Sequence, residues 1–189
     1  MKEYKKRVFT INSFFKSLFG LYKNFGKLKK AFRGKRISRS FTERIMLAVT
    51  QVNKCRFCSF GHTKAALASG IAKQEIEEIL KADFNNVPKE QQIALCFAQH
   101  YAENEGKYEQ EYANSLIEAY GIDTTKDLLS YIEFISFGNL CGNTIDSFLA
   151  RFTGHYTKGS SVLQEIVVVI SMVVLLPLVI IFGIIFRYD

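Results

Sequence analysis

The sequence predicts an all-α domain with a single transmembrane helix at its C-terminal end. Apolar residues recur at three- and four-residue spacing along most of the 189-residue chain, which is the spacing of one face of an α-helix. Sustained apolar–polar alternation and Asn-Gly turns, the signs of strands and hairpins, are almost absent from the sequence. The 21 residues from Ile166 to Phe186 carry no charge, and such a run is long enough to cross a hydrocarbon core of about 30 Å.

This apolar run predicts a membrane span. A buried core helix is the alternative, but core helices seldom stay apolar on every side for so long. Pro177 would kink the helix without preventing it from spanning. Since only residues 187–189 follow the run, we expect a tail-anchored protein with one span.

Positive charge is concentrated at the start of the chain. Residues 1–44 carry 14 Lys and Arg against two Asp and Glu, a net charge of +12, whereas the remainder carries a net charge of −5. A basic protein can bind nucleic acid, but here the charge is confined to one arm. Beside a membrane span, contact with anionic lipid headgroups is the simpler interpretation. We therefore predict membrane lipid, and no nucleic acid, as a partner. Positive segments tend to stay in the cytoplasm, which predicts a cytoplasmic domain.

The basic arm contains an amphipathic helix. Residues 1–12 show no clear pattern and are expected to be loose. From Phe14 to Phe32, apolar residues recur at helical spacing with lysines between them, and Gly20 and Gly26 interrupt the pattern. Such a helix can rest on a membrane interface or cover the domain as a lid, and the sequence leaves both options open.

Helix start and stop signals divide the rest of the domain. Ser40 or Thr42 can cap its first helix, and Gly70 and Gly121 mark two helix ends. We predict helices over residues 43–52, 54–68, 73–80, 89–104, 107–120 and from 123 or 124 to about 152. The predicted organisation is a basic arm over 1–35, the helical domain over 36–153, a linker over 154–165 and the span over 166–186.

Two of the four cysteines and one of the three histidines lie within ten residues. Two residues separate Cys55 from Cys58, so their sulfurs can lie about one helical turn apart and within reach of a disulfide. His62 follows Cys58 by four residues and shares its helical face. Asn53 can cap a helix that starts here, and a thiolate near a helix N-terminus is stabilised, which lowers the pKa of the thiol. Together these features are typical of a redox site.

Cysteine usage favours reactive thiols over structural disulfides. We expect no secretory signal, because no apolar segment or small-residue cleavage site follows the first basic residues. In a reducing compartment, a C-x-x-C pair is expected to be a reactive dithiol or a pair of metal ligands. Zinc is disfavoured because Cys55, Cys58 and His62 supply three ligands where a structural site needs four. Alternatively, both cysteines are only core residues, but this leaves His62 unexplained.

In the predicted helix 89–104, Ile93 and Cys96 are expected to be buried.

The order of Glu43, Cys55, Cys58 and His62 follows the pattern E-x₁₁-C-x₂-C-x₃-H. A glutamate at a helix start commonly just complements the helix dipole, so Glu43 alone has a structural explanation. The pattern changes this. With E-R-I-M-L-A-V-T-Q-V-N before the cysteines and H-T-K-A-A-L-A-S-G after them, it resembles the carboxymuconolactone decarboxylase-like superfamily, and within it the alkyl hydroperoxidase D-like branch. The resemblance covers about residues 36–152.

The resemblance implies a helical domain that assembles as a trimer or a multiple of dimers or trimers, with thiol-dependent peroxidase activity. By family analogy, Cys58 attacks a hydroperoxide after activation by a relay from Glu43 through water and His62. Cys55 then forms a disulfide with the oxidised Cys58. No metal or other cofactor is implied beyond this redox-active pair, and a dithiol protein is the expected reductant.

The chain also departs from the family pattern. Phe57 lies where relatives often carry His or Tyr, so any polar contact there is lost. The decarboxylase branch lacks the cysteine pair, which argues against lactone chemistry. Two other functions stay open: a dithiol carrier that passes disulfides to a membrane partner without reducing peroxide, and a helical interaction scaffold with idle cysteines. Cys141 is expected to be a buried structural residue, and His100 and His155 are expected at the surface.

Overall fold

The computed structural model describes residues 2–4 and 6–186. Within this part of the chain the structure is helical apart from two short strands, which confirms the all-α prediction. In chain order the elements are β1 Lys2–Tyr4, α1 Ile11–Lys23, α2 Phe25–Arg33, α3 Arg39–Asn53, α4 Arg56–Ala68, α5 Lys73–Ile79, α6 Lys89–Glu103, α7 Gln110–Tyr120, α8 Ile122–Arg151, β2 His155–Thr157 and α9 Val162–Phe186. Residues 187–189, expected to follow the span, lie outside the described part.

The chain forms two compact units. The unit Lys27–Ser136 holds all four residues of the E-x₁₁-C-x₂-C-x₃-H pattern, and we call it the site unit. The second unit, which we call the terminal unit, combines the chain up to Gly26 with the chain from Phe137 onward. These divisions differ from the predicted boundaries at residues 35 and 153, because α1 and the second half of α8 pack with residues of α9.

In the site unit, α3 is the central helix. Its stretch Ile45–Val49 is buried, and α3 packs against α4, α5 and α6. The helix is capped by Ser38, whose side chain accepts a backbone N–H of the first turn. The predicted caps Ser40 and Thr42 are therefore wrong, and both lie inside the helix. Glu43 consequently lies beyond the first turn, where the simple complement to the helix dipole no longer explains it.

Burial on α6 also differs from the prediction. Leu95 and Ala98 are fully buried, but Ile93 is 39% exposed and Cys96 is exposed. A single helix presents one face to a core, and the positions of Ile93 and Cys96 fall on the side away from Ala98. Helices α4 and α7 begin two and three residues later than predicted.

In the terminal unit, α1 lies against α9. Phe14 and Leu18 are buried in one apolar cluster with Val168. The helix predicted over residues 14–32 is broken at Asn24, the C-cap of α1, and not at the glycines. The buried aromatic side of α1 is therefore occupied by its packing in this unit.

The start of the chain is held in place where it is described. β1 pairs in parallel with β2, Phe9 is 1% exposed, and Lys6 forms an ion pair with Asp146. The expectation that residues 1–12 are loose is wrong for these positions, because β1 pairs with β2, which leads into α9, while Lys6 and Phe9 contact α8. That segment, predicted as a plain linker, contains β2 and the first turn of α9.

Helix α9 is long and apolar enough to cross a membrane. Within Val162–Ile185, the most apolar window of 18 residues has a mean hydropathy of 3.2, and only 17% of that window is buried. In its first turn, Glu165 is fully buried and accepts hydrogen bonds from Arg151 and from the Ser147 hydroxyl. The first turn of the apolar helix is therefore anchored by a buried carboxylate whose two oxygens both accept hydrogen bonds.

Candidate redox site

The site is built at the start of α4. Lys54 adopts the left-handed conformation with φ 56° and ends α3, and α4 begins two residues later. Cys55 is the N-cap of α4, and its Sγ accepts the backbone N–H of Cys58 at 3.3 Å. The predicted cap Asn53 is wrong, because it is the last residue of α3 and is buried. The cysteine itself has taken the capping position that Asn commonly fills.

Cys55 and Cys58 are joined by a disulfide, and their Cα atoms are 5.3 Å apart. This arrangement agrees with the prediction that the two sulfurs lie within reach of one bond. Cys55 is fully buried, whereas Cys58 is partly exposed. Of the two residues, Cys58 is therefore the more exposed to solvent.

Glu43 and His62 form a close pair between α3 and α4. The Nδ1 atom of His62 lies 2.8 Å from Oε2 of Glu43. An ionised carboxylate can only accept, so the contact assigns the donor role to Nδ1–H of His62. The imidazole side chain is 26% exposed and the carboxylate side chain 13% exposed. His62 also lies one turn after Cys58 on α4, so the Glu43–His62 pair lies on the face of α4 that carries Cys58.

Arg44 fixes the segment of α3 that carries Glu43. Its guanidinium donates to both carboxylate oxygens of Glu75 on α5, at 2.5 and 3.1 Å, and to Gln91 on α6 at 3.3 Å. Two parallel bonds from a planar guanidinium restrict orientation as well as distance. Arg44 was not predicted from the sequence. Its signal was a lone arginine directly before the apolar stretch that forms the centre of α3.

The surface around the cysteines has a polar and an aromatic part. A shallow, open depression of about 270 Å³ lies at the start of α4 and is lined by Thr50, Gln51, Lys54, Cys55, Arg56, Ser59 and Leu80. On the outer side of α4, Phe57 is 47% exposed and Phe60 is 67% exposed. Arg56 and Lys64 lie 5.1 and 5.0 Å from these two ring centroids. Both an anionic group and an apolar group can therefore be accommodated close to the disulfide.

The remaining cysteines and histidines lie elsewhere. Partial desolvation raises the pKa of the exposed Cys96, and burial raises the pKa of Cys141 to about 12, so both thiols are poor nucleophiles at neutral pH. His100 stacks on Tyr112, and His155 lies in β2. Within residues 2–4 and 6–186, no group of three or more His, Cys, Asp or Glu side chains is placed to hold a metal ion.

The comparison with protein families identifies the segment that carries the site. Residues 18–95 match the model of the carboxymuconolactone decarboxylase family. Over these residues, the chain is similar to that family. The family includes alkyl hydroperoxidase D-like members. A search of curated proteins and a search of solved structures found no match.

The family segment starts within α1 and ends within α6. It therefore takes in the second part of the basic arm, which was predicted to lie outside the family pattern. It also contains Glu43, Cys55, Cys58 and His62. The C-terminal half of the chain, including α9, lies beyond the matched segment.

Proposed function

We propose that the protein is a membrane-tethered, thiol-dependent peroxidase of the alkyl hydroperoxidase D-like kind. The observation that carries the proposal is the arrangement of a partly exposed Cys58, bonded to a buried Cys55, one turn from an imidazole that is held by a carboxylate. A nucleophile, an adjacent base and a group that orients the base are the parts that activated nucleophiles share.

In the reduced enzyme, Cys58 is the attacking residue. His62 accepts the proton of the Cys58 thiol at Nε2, directly or through water, while Glu43 holds Nδ1–H and stabilises the charged ring. The Cys58 thiolate attacks the outer oxygen of a hydroperoxide and the O–O bond breaks. The products are an alcohol, whose oxygen takes up the proton, and a sulfenic acid on Cys58.

Cys55 then forms a disulfide with the oxidised Cys58. The sulfur of the Cys55 thiol attacks the sulfur of the Cys58 sulfenic acid, and the S–S bond forms as the S–O bond breaks. The proton of the Cys55 thiol joins the departing hydroxide, which leaves as water. A dithiol reductant restores the enzyme by attacking the exposed sulfur of Cys58, with the Cys55 thiolate as leaving group. The N-cap position stabilises that thiolate, because the backbone N–H of Cys58 points at Cys55 Sγ. The second thiol of the reductant releases Cys58 and becomes part of its disulfide.

The surroundings of the disulfide favour an apolar hydroperoxide. Phe57 and Phe60 are exposed on α4, and the candidate span α9 would keep the protein at a bilayer, where lipid-derived hydroperoxides form. We infer a single span, with the domain on the cytoplasmic side because the N-terminal arm is strongly basic.

Exposed apolar side chains on α4 and α6 also support assembly with further copies of the chain. Leu67 on α4 and Ile93 on α6 are 46% and 39% exposed, and exposed large apolar side chains can mark interaction surfaces. We infer a homo-oligomer, a trimer or a multiple of dimers or trimers. Light scattering of the purified protein tests this assembly.

Turnover of an alkyl hydroperoxide with a dithiol reductant tests the proposed reaction. The full chain in detergent is expected to oxidise the dithiol in proportion to added hydroperoxide. Cys58→Ser removes the nucleophile and should abolish turnover, whereas the control Cys96→Ser should leave it unchanged. Equal turnover in wild type and Cys58→Ser would contradict the proposal. Rapid reduction of a disulfide substrate without hydroperoxide turnover would identify a dithiol carrier, and inactivity in both reactions would favour a scaffold.

A further inference from the structure

The packing of α1 on α9 is difficult to reconcile with a bilayer around α9. At the start of α9, the Gln164 side chain donates to the backbone carbonyl of Phe9 at 3.1 Å. Farther along, Phe14 and Leu18 share a cluster with α9. Near the end of α9, a methyl group added to Gly183 would overlap the ring of Phe25. The chain from α1 to Phe25, the first residue of α2, therefore runs parallel to α9, and α1 itself lies alongside the first part of the apolar run of α9.

The outward side of α1 is not suited to the hydrocarbon core. Lys16 and Lys23 are exposed on it, together with Asn12. In the observed packing both lysines lie at the depth of the α9 apolar run. A lysine at such a depth is strongly disfavoured, because its charge would have to leave water for hydrocarbon.

The same side of α1 suits the surface of an anionic bilayer. Phe15 and Phe19 are 43% and 67% exposed beside the lysines, and basic side chains with exposed aromatic rings are typical of helices that lie in the headgroup region. Helix α1 also has its own ends, a capping box between Thr10 and Ser13 and a C-cap at Asn24. It can therefore remain helical when it leaves α9.

We propose that α1 is a displaceable cover for α9: it packs on α9 in water and moves to the anionic headgroup layer when α9 enters a bilayer. The partner is the bilayer surface, recognised by Lys16 and Lys23 through charge and by Phe15 and Phe19 through partition into the interface. The inference rests on the membrane tether of the proposed function and is independent of peroxide chemistry.

Tryptophan depth measurements test this movement, because the chain contains no tryptophan. Phe19→Trp reports on α1, and Val173→Trp, at a position 71% exposed on α9, reports on the span. Each full-length variant is placed in phosphatidylcholine vesicles with about one third phosphatidylserine. These vesicles contain lipids that carry a quencher either at the headgroup or at mid-chain.

The expected result is that the mid-chain label mainly quenches the Val173→Trp variant, whereas the headgroup label mainly quenches the Phe19→Trp variant. Equal mid-chain quenching of the two variants would mean that α1 stays on α9 inside the bilayer and would overturn the proposal. Weak quenching of both variants by either label would show that α9 does not insert, which also overturns it. Peroxide turnover in the same samples reports separately on the reaction.

Charge variants test the role of the lysines. Adding Lys16→Gln and Lys23→Gln to Phe19→Trp should shift quenching toward the mid-chain label. It should also weaken binding to the anionic vesicles about fivefold per lysine at low ionic strength. The matched control is Lys81→Gln with Lys107→Gln, which removes the same charge from exposed positions of the site unit. Equal effects of the two pairs would contradict recognition by α1.

Discussion

Two glutamates in this molecule are held in opposite ways. Glu165, in the first turn of α9, is fully buried, and both of its carboxylate oxygens accept hydrogen bonds, from Arg151 and Ser147. Glu43, on α3, has one described partner, His62, and both side chains keep some exposure. The first acid is enclosed and saturated. The second acid, Glu43, holds an imidazole whose side chain is partly exposed to solvent.

This difference separates a structural charge from a chemical one. A buried carboxylate with all its partners inside the protein stabilises one arrangement, and removing a partner leaves an uncompensated charge. A partly exposed carboxylate–imidazole pair contributes little to stability but can move a proton. We therefore expect substitutions at the two acids to have opposite profiles in stability and in turnover.

The largest effect is expected in the proton relay. His62→Ala should lower hydroperoxide turnover about 10³-fold, and Glu43→Gln about 10²-fold, because the base and then its orientation are lost. The free energy of unfolding should change by less than about 1 kcal/mol. Steady-state kinetics and denaturant titration measure the two quantities. Replacement of His100 by Ala serves as the control. If these variants lost turnover because they unfolded, the Glu43–His62 pair would have a structural role and no catalytic one.

The terminal unit should show the reverse. Arg151→Met leaves Glu165 buried without its guanidinium partner and should reduce the free energy of unfolding of that unit by about 3 kcal/mol. Hydrogen exchange in detergent should show faster exchange at the start of α9. Turnover at the site unit should stay near the wild-type value. Combining Arg151→Met with Glu165→Gln should recover part of the stability, since no unpaired charge then remains. Equal destabilisation of the single and double variants would contradict the view that an unpaired Glu165 carboxylate causes the loss of stability.

The smallest effect is a ranking of thiol reactivity. After reduction, Cys58 should be alkylated at pH 7 at least about tenfold faster than Cys96, although Cys96 is also exposed. Partial desolvation raises the pKa of Cys96, so alkylation of Cys96 should accelerate as the pH rises toward that pKa. Cys141, with a pKa of about 12, should react slowest. Mass spectrometry of each cysteine peptide gives the rates. Faster labelling of Cys96 than of Cys58 would contradict the proposal that the Cys58 thiol is selectively activated.

Much of the fold and of the site could be predicted because the signals are local. The spacing of Cys55, Cys58 and His62 predicts that they follow one another at intervals of about one helical turn. In the structure they do so along the start of α4. The cap was missed because Asn53 and Cys55 lie close together. The left-handed residue between them, Lys54, decides which one starts α4.

Contacts between distant parts of the chain could not be derived from periodicity. The approach of Glu43 to His62 depends on how α3 packs on α4, and only the family pattern pointed to it before the structure did. The packing of α1 on α9 joins residues more than 140 positions apart. Amphipathic spacing in the arm indicated an apolar face but carried no information about what covers it.

Direct detection of a sulfenic acid tests the central claim that Cys58 is the peroxide-attacking residue. In Cys55→Ser the N-cap is kept, because Ser accepts the same backbone N–H, but the disulfide cannot form. After reduction, one equivalent of alkyl hydroperoxide and the sulfenic acid reagent dimedone should give an adduct on the peptide that contains Cys58. Adding His62→Ala should slow its formation. An adduct on Cys96 or Cys141 instead, or no adduct on Cys58 while hydroperoxide is consumed, would contradict the account.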